Sequence, residues 1–224
     1  MTVFWSNVGA ILAKDLVSEF RNKETIISIF SFSLLSLIIL NFALRPTPSL
    51  ISSVAPGILW VAFTFSGILG LTKAFALEED QDAIQGLLLT PASREAIYIG
   101  KMLSCLLFML IAEIVILPIF AILFNLSPFQ PILMLVIFMA TLGFASVGTL
   151  FSSLAMNTKS REIMLPMLFI PIVVPIIIAA VVGTDVALGG GGWQEVSKWI
   201  QLMLVFDVIA VVFCAFGFEY VTED

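Results

Sequence analysis

Histidine is absent from this 224-residue chain, and charged residues make up only 12% of it. Without histidine the chain lacks the side chain that most often binds metals and haem iron, and the usual general base near neutral pH. It also contains no GxxxxGK[ST] motif, so it cannot hydrolyse a nucleotide through a P-loop. The net charge of −6 argues against a nucleic-acid partner, because a phosphate-binding surface is basic. We therefore expect no catalysis, no bound metal and no nucleic acid.

Cysteine is nearly as scarce, and what remains is strongly apolar. Cys105 and Cys214 both lie inside apolar runs without CxxC spacing, which is typical of ordinary buried thiols. Hydrophobic residues make up 60% of the chain, and a soluble protein of this size could not bury so much apolar surface. The composition therefore predicts an integral membrane protein. Lys14, Asp15 and Glu19 interrupt the first twenty residues, so we expect no cleaved signal peptide.

Six apolar stretches are each close to the roughly 20 residues that a helix needs to cross a bilayer. We predict an all-α fold, a single transmembrane domain over residues 1–224, with spans at 26–44, 54–77, 102–124, 132–156, 163–182 and 200–218. Before them, over residues 1–24, apolar side chains recur four residues apart at Phe4, Val8, Leu12, Leu16 and Phe20. This spacing predicts an amphipathic helix lying in the membrane interface.

The basic residues predict the orientation, because cytoplasmic loops are enriched in lysine and arginine. With the N-terminus inside, one side carries Lys14, Arg21, Lys23, Lys73, Arg94, Lys101, Lys159 and Arg161, and the other carries only Arg45 and Lys198. Both termini are therefore predicted to be cytoplasmic. The aromatic residues agree if Tyr98 and Tyr220 lie at the inner boundary, and Trp193 and Trp199 at the outer one.

Residues 75–91, FALEEDQDAIQGLLLTP, form the longest polar interruption of the apolar sequence. They are too few to cross a bilayer, so we predict a short cytoplasmic helix over residues 78–91. Its acidic start would suit the positive end of a helix. An anionic leaflet favours basic residues, so this face is interpreted as a protein contact rather than a simple connector. The candidate contact residues are Glu78, Glu79, Asp82, Ile84, Leu87 and Leu88.

Two carboxyl groups, those of Glu113 and Asp207, fall near the middle of predicted spans. A charge at the bilayer centre costs roughly 2.5–3.5 kcal/mol on insertion scales, so such residues mark candidate pathways. No basic residue lies at comparable depth in the sequence. A protonated, hydrogen-bonded carboxyl, a cation on another chain and a proton relay all remain open.

Span 163–182 contains Pro166, Pro171 and Pro175, and each removes a backbone donor and obstructs the preceding turn. We expect this helix to be kinked or broken, either as a moving part or as a static feature. Small residues also recur four apart, at Ala62, Ser66 and Gly70 and again at Ala145, Thr149 and Ser153. They predict close helix packing, within the chain or against another subunit.

Three segments together resemble a known family: APGILWVA at 55–62, the acidic stretch followed by LLLTP at 78–91, and LPxxxxPxxxP at 165–175. With six spans and this length, the chain resembles the CcmB family, permease-type subunits of the ABC transporter for haem in cytochrome c maturation. The acidic segment is shared more widely, among ABC-2-type permeases.

The resemblance implies a multi-pass protein of the cytoplasmic (inner) membrane that works with a separate ATPase, similar to CcmA. It further implies a haem-handling membrane subunit similar to CcmC, a small helper similar to CcmD, and a periplasmic haem chaperone similar to CcmE. ATP would be hydrolysed by the partner to release the loaded chaperone. Haem would be cargo, and we expect no cofactor bound by this chain itself.

Three other functions fit the same residues. One is an ABC-2-type permease for another lipophilic cargo, and another is a proton-coupled carrier that uses Glu113 and Asp207. The third is a scaffold that transports nothing and holds the ATPase beside the haem-handling subunit. A partner at the membrane level is expected in each ABC-type case, since six helices are few to enclose a pathway.

Overall fold

The computed structural model describes residues 2–44, 51–80, 86–87, 89–156 and 161–221. Helices account for nearly all of these residues, and no strand is found among them. The helices are α1 (Thr2–Arg21), α2 (Lys23–Leu44), α3 (Ile51–Asp80), α4 (Arg94–Phe124), α5 (Pro131–Met156), α6 (Arg161–Leu188) and α7 (Trp193–Val221). The all-α prediction is therefore confirmed.

Six of these helices, α2 to α7, are long and apolar enough to cross a membrane. The number of spans agrees with the sequence prediction, but several helices are longer than the apolar runs. Helix α4 starts at Arg94 rather than 102, because the Ser93 hydroxyl accepts a hydrogen bond from the Ala96 N–H at 3.3 Å and caps it. Helix α7 starts at Trp193 rather than 200, directly after a turn closed by a 2.8 Å bond from the Gly191 N–H to the Val186 carbonyl. An apolar run shows only the part of a helix that crosses the hydrocarbon core, and the helix itself can extend beyond it.

Helix α5 lies at the centre of the bundle, packed against α6 and α7 on one side and against α3 and α4 on the other. Helices α3 and α5 are the most buried spans, whereas α2 and α7 have the smallest share of buried residues. The small residues predicted from the sequence are buried here, including Ala62, Ser66, Ala145 and Thr149. The Ser66 hydroxyl contacts the Ser33 hydroxyl of α2, so this motif packs helices of the same chain.

Helix α1 packs along α4 with a face that overlaps the predicted apolar stripe, since Val8 is buried and Phe4, Leu12 and Leu16 are half buried. Val8, Ile11 and Asp15 are buried, whereas Phe20, which ends the predicted apolar stripe, is half exposed. The reason is Gly100 of α4, which lets α1 approach so closely that a Cβ atom at Gly100 would lie 2.9 Å from Ile11 Cβ. Backbone proximity at one glycine therefore selects the buried face. The interfacial position of α1 stays a prediction, and α1 is outside the group of six spanning helices.

This contact predicts that the same substitution will have opposite effects at two glycines. Gly100→Ala should destabilise the fold, since overpacking costs about 1–3 kcal/mol and exceeds the gain of up to about 1 kcal/mol from better helix propensity. Gly57→Ala is the matched control, because nothing lies within 4 Å of a Cβ placed there, so that variant should gain stability. Thermal unfolding of the purified variants measures both. A rise in the melting temperature of Gly100→Ala would contradict the close α1–α4 contact.

Tyr98 is fully buried between helices, so its ring does not face lipid as an aromatic-belt residue would, and its depth in the membrane stays a prediction. Its hydroxyl lies 2.8 Å from Ser146 Oγ of α5, and its ring packs against Phe218 of α7. A tyrosine with a hydroxyl partner can be buried without an energetic penalty for its polar end. Trp193 and Tyr220 do remain exposed, as expected for boundary residues.

Helix α6 runs continuously through Pro166, Pro171 and Pro175. It is therefore not broken at these residues, and a kink at any of them stays a prediction. Of the three, Pro171 and Pro175 are exposed and Pro166 is half buried. Pro171 and Pro175 thus lie on the outer side of the bundle.

Candidate functional site

The first part of the acidic segment continues α3 and does not begin a separate helix. Glu78, Glu79 and Asp80 are the last three residues of α3, so their charges fall at a helix C-terminus, where the backbone dipole does not favour them. The predicted helix start at residue 78 is therefore wrong, whereas Gly86 and Leu87 are helical as predicted and residues 81–85 lie outside the described residues. The three residues instead lie where α3 leaves its apolar span. The predicted contact residues Asp82, Ile84 and Leu88 lie outside the described residues, as do the side chains of Glu78 and Glu79.

The end of this segment is a turn with one leucine inside and one outside. Leu87 is half buried and packs against the chain's own hydrophobic core, whereas Leu89 is 89% exposed. The Thr90 N–H and hydroxyl both donate to the Leu87 carbonyl, at 3.1 and 2.6 Å, which fixes the turn. Leu89, which the sequence interpretation did not select, is thus the most exposed large apolar side chain of the described residues. The Leu89 side chain is therefore accessible to a partner.

Glu113 lies on α4 and is buried, with 5% of its surface exposed. Both of its carboxyl oxygens lie within hydrogen-bond distance of the Thr141 hydroxyl of α5, at 2.9 and 3.0 Å. One hydroxyl carries one proton, so the two oxygens share a single donor from this residue. This interhelical hydrogen bond agrees with a hydrogen-bonded carboxyl group, one of the three arrangements that the sequence left open. Thr141 could not be found from the sequence, because hydroxyl residues are common in these spans.

Asp207 lies on α7 and is equally buried, but neither of its carboxyl oxygens has a hydrogen-bond partner in the described structure. The side chain packs against Gly143 of α5 and near Ile176 of α6. A Cβ atom at Gly143 would lie 2.4 Å from Asp207 Oδ1 and 2.3 Å from Ile176 Cδ1. The missing side chain of Gly143 thus provides the space that the carboxyl group occupies. The sequence does not show whether a glycine such as Gly143 makes room for a polar side chain or only for a neighbouring helix.

The structure separates the two intramembrane carboxyl groups instead of bringing them together. Glu113 contacts α5 at Thr141, and Asp207 contacts α5 at Gly143. Positions two residues apart on a helix are about 200° apart around its axis, so the two groups lie on opposite sides of α5. A relay in which protons pass directly between them would have to cross the most central helix of the bundle.

The different surroundings of the two carboxyl groups predict a stabilising substitution. Asp207→Asn keeps the shape of the side chain and replaces a group that can carry a negative charge with a neutral amide, so it should raise stability, because a buried charge without a partner costs more than a buried amide. Glu113→Gln, the matched variant, disturbs a group that already has a donor and should not stabilise. Comparing their thermal unfolding in detergent measures this difference. A lower melting temperature for Asp207→Asn would mean that the carboxyl group has a stabilising role.

A buried ion pair joins α1 to α4. Lys101 is 2% exposed, and its Nζ lies 3.7 Å from Asp15 Oδ2 and 5.4 Å from the centre of the Phe75 ring. Asp15 also pairs with the more exposed Lys14 at 2.9 Å. The sequence placed Lys101 among the basic residues of a loop, because residues 94–101 precede the apolar run. Neither partner was predicted as a site residue.

A cavity of about 60 Å³ lies between helices α1, α2, α3 and α4, and we call it the α1–α4 cavity. Its walls are largely apolar and include the rings of Phe63, Phe75 and Phe108. Its polar lining comprises Asp15, Ser18, Glu19, Ser66, Lys101, Ser104 and Glu113. The cavity therefore connects the ion pair at the α1 end with the carboxyl group of Glu113 inside the bundle.

A second, wholly apolar groove adjoins this cavity, and we call it the apolar groove. It is lined by α1, α2 and α4 and shares Ile29, Phe108, Ala112 and Ile116 with the cavity. Among the described residues no group of three or more Cys, Asp and Glu side chains could hold a metal ion. The combined site is suited to an apolar molecule with one polar end, not to a metal.

Several proteins resemble this chain over most of its length. One, from Pseudomonas aeruginosa, is 24% identical over 175 residues, which cover 77% of this chain and 78% of the relative. Another, from Haemophilus influenzae, is 25% identical over 186 residues, 80% of this chain and 84% of the relative. A third, from Rhodobacter capsulatus, is 26% identical over 170 residues, with 75% and 78% covered. All three are named heme exporter protein B.

A family model described as CcmB protein matches residues 6–222. This range includes all six helices long enough to span a membrane, together with the acidic end of α3 and most of α1. The match therefore covers far more than the three short motifs on which the sequence resemblance rested. The chain belongs to the CcmB family.

Proposed function

We propose that this chain is the membrane permease subunit of an ABC transporter that serves haem export in cytochrome c maturation. The observation that carries the proposal is the family match over residues 6–222, together with relatives named heme exporter protein B. The bundle of six apolar helices supports a membrane subunit, and the absence of a P-loop motif assigns ATP hydrolysis to another chain. Haem is the substrate of the assembly rather than a resident cofactor of this chain.

Energy would reach the bundle through the segment that follows α3. Glu78, Glu79, Asp82, Ile84, Leu87 and Leu88 are the proposed contacts with the ATPase, and the exposed Leu89 joins them. Movement of the ATPase would push on this segment and tilt α3 and α4, which it connects, as rigid bodies. The bonded turn at Leu87 and Thr90 supports such a transfer, because a fixed turn transmits displacement.

The proposed location is the inner membrane, with both termini and the acidic segment in the cytoplasm, where ATP is available. The asymmetry of lysine and arginine supports this orientation. The proposed partners are an ATPase similar to CcmA, membrane subunits similar to CcmC and CcmD, and a periplasmic haem chaperone similar to CcmE. Membrane lipid surrounds the exposed apolar faces of α2 and α7.

Complementation tests this proposal most directly. A strain whose own B subunit has been deleted should regain covalent c-type cytochromes when this chain is expressed together with its own ATPase. Gentle solubilisation and affinity purification should recover that ATPase and the haem-handling subunit. Failure of both assays, with the chain present in the membrane, would contradict the proposal.

The alternatives give different results in the same assays. A permease for another lipophilic cargo would recover an ATPase but no haem-handling partner, and cytochrome c assembly would be unaffected. A proton-coupled carrier would act alone, and the separation of Glu113 from Asp207 by α5 gives it no support. A scaffold would support assembly even when cross-links within the bundle prevent its helices from moving.

A further inference from the structure

We propose that the apolar groove binds an acyl chain of an anionic phospholipid, whose phosphate group is bound by Arg21 and Lys23 at the junction of α1 and α2. This inference concerns a lipid bound to the bundle itself. It is independent of the haem and of the ATPase, so it stands or falls separately from the proposed function.

The lining of the groove suits a hydrocarbon chain. All of its lining side chains are apolar, namely Phe20, Ile26, Ile29, Phe30, Phe108, Ile111, Ala112, Val115 and Ile116. Its volume of about 120 Å³ is close to the roughly 150 Å³ of an apolar protein cavity that holds one benzene molecule. The groove therefore accepts a segment of an acyl chain, but it is too small for a porphyrin ring.

The groove is open towards the outside of the bundle. Phe30, Ile111 and Val115 line it and are 36%, 40% and 49% exposed. On the outer side of a membrane bundle such exposed apolar side chains face lipid, so an acyl chain can enter the groove sideways. An apolar lining offers nothing to orient a water-soluble ligand. A lipid chain is therefore the occupant that fits both the lining and the opening.

One end of the groove lies near a membrane boundary. The Asn41 amide donates to the Leu123 carbonyl at 3.4 Å, close to the far ends of α2 and α4. Ile26 and Phe108 precede these two residues by the same number of positions, so at about 1.5 Å per residue both lie about 22 Å from that contact. Lys23 lies about 27 Å from it, which is close to the roughly 30 Å thickness of the hydrocarbon core. The start of α2 is therefore at the level of the lipid phosphate groups.

Arg21 and Lys23 lie at this end of the groove. Arg21 ends α1 directly after Phe20, whose ring centre lies 6.3 Å from that of Phe108. Lys23 precedes the groove residue Ile26 by three positions, so it lies on the same face of α2. Both basic side chains are exposed, and their long stems allow the charged ends to reach a phosphate group above the groove.

The charges of this junction favour an anion. Within the part of the chain that the structure describes, neither Arg21 nor Lys23 has an ion-pair partner. Of the neighbouring acids, Glu24 pairs with Lys73 at 3.3 Å, whereas Glu19 lines the α1–α4 cavity and has contacts of its own. Arginine and lysine at this depth attract anionic lipids, and arginine binds phosphate oxygens in pairs. The junction thus supplies the headgroup contacts, and the groove supplies the chain contacts.

Native mass spectrometry of the full-length chain tests the proposal. The chain in detergent is titrated with dioleoylphosphatidylglycerol, or with dioleoylphosphatidylcholine, which has the same acyl chains but no net charge. One basic residue near an anionic lipid contributes a factor of about five in affinity. We therefore expect the first phosphatidylglycerol to bind at least about tenfold more tightly than the first phosphatidylcholine. Equal affinities of the two lipids would overturn the proposal.

Substitution of the two basic residues tests the headgroup contact. Arg21→Gln combined with Lys23→Gln should lower the affinity for phosphatidylglycerol about tenfold and leave that for phosphatidylcholine unchanged. Arg21→Lys combined with Lys23→Arg keeps both charges and should stay within about threefold of the parent. Lys198→Gln removes an exposed cation of α7, outside the groove, and should also stay within that range. No loss in the double glutamine variant, or an equal loss in Lys198→Gln, would contradict the assignment.

Substitution inside the groove tests the chain contact. Ala112→Phe fills the groove without changing a charge and should weaken binding of both lipids at least about fivefold. Ala121→Phe, at a half-buried position of the same helix outside the groove, is the matched control and should stay within about twofold. Val115→Trp narrows the groove from its exposed side and decides the matter if Ala112→Phe does not fold. Undiminished lipid binding by a folded groove variant would overturn the proposal.

Competition with glycerol phosphate, a headgroup without chains, separates a lipid site from a phosphate site. It should not displace phosphatidylglycerol at equal concentration, because the chain contacts in the groove are missing. Displacement would mean that Arg21 and Lys23 bind phosphate without the groove, and the proposal would be wrong.

Discussion

Replacement of Lys101 by methionine is expected to destabilise the protein by about 3 kcal/mol, a large share of the roughly 5–15 kcal/mol that hold a typical domain together. The methionine side chain is of similar length and apolar, so packing against Phe75 is retained. What is lost is the charge facing Asp15, which is 8% exposed and cannot be solvated by rotating outward. Breaking a buried pair costs about 3–5 kcal/mol, and we expect the lower end because Lys14 still contacts Asp15.

A double variant separates the charge from the packing. In Asp15→Asn combined with Lys101→Met both charges are gone, and we expect stability to return to within about 1 kcal/mol of the parent. Chemical unfolding in detergent, monitored by the loss of helical signal, gives the free energy of unfolding of the parent, the two single variants and the double variant. These four values form a double-mutant cycle. If the double variant is as unstable as Lys101→Met alone, the side chain acts through packing and the ion pair contributes little.

This ion pair illustrates what the sequence could and could not predict. The six spans follow from apolar runs of sufficient length, because the bilayer thickness fixes that length and no tertiary contact is needed. The burial of Asp15 and Lys101 depends on the approach of α1 to α4 at Gly100, a contact between residues distant in the sequence. Lys101 was therefore counted among the basic loop residues, and Asp15 was not identified as its partner. The burial of Tyr98 was not predicted for the same reason, since its partner Ser146 lies on another helix.

The acidic segment shows a second limit. Composition correctly indicated a polar stretch between two spans, and the family match supports its placement in the chain. The change from apolar to acidic residues was interpreted as the end of the span and the start of a new helix, but α3 continues through Asp80. No residue that stops a helix precedes the charges. Proline and glycine would have marked such an end, and the nearest of them are Gly86 and Pro91. The turn at Thr90 determines that Leu89 and not Leu87 faces outward, and the spacing of apolar residues in the sequence does not predict this.

Leu89→Asp is expected to reduce the recovery of the ATPase with this chain by about tenfold or more, and to reduce cytochrome c assembly by a similar factor. A charge buried against an apolar surface of the ATPase would weaken the free energy of binding by at least about 1.4 kcal/mol, which is a factor of about ten in affinity. Because Leu89 is 89% exposed, the substitution should leave the fold and the membrane insertion of the chain intact. Affinity purification and haem staining of c-type cytochromes measure the two effects.

Leu89→Met is the matched control, since it keeps the size and apolar character of the side chain and should retain the ATPase. Leu87→Asp should also lose the ATPase, but it places a charge against the chain's own core and should lower thermal stability as well. Leu89→Asp alone therefore separates docking from folding. Normal ATPase recovery and normal cytochrome c assembly in Leu89→Asp would mean that the turn after α3 does not dock the ATPase. If assembly is lost while the ATPase still binds, Leu89 is needed to transmit the movement of the ATPase and not to bind it.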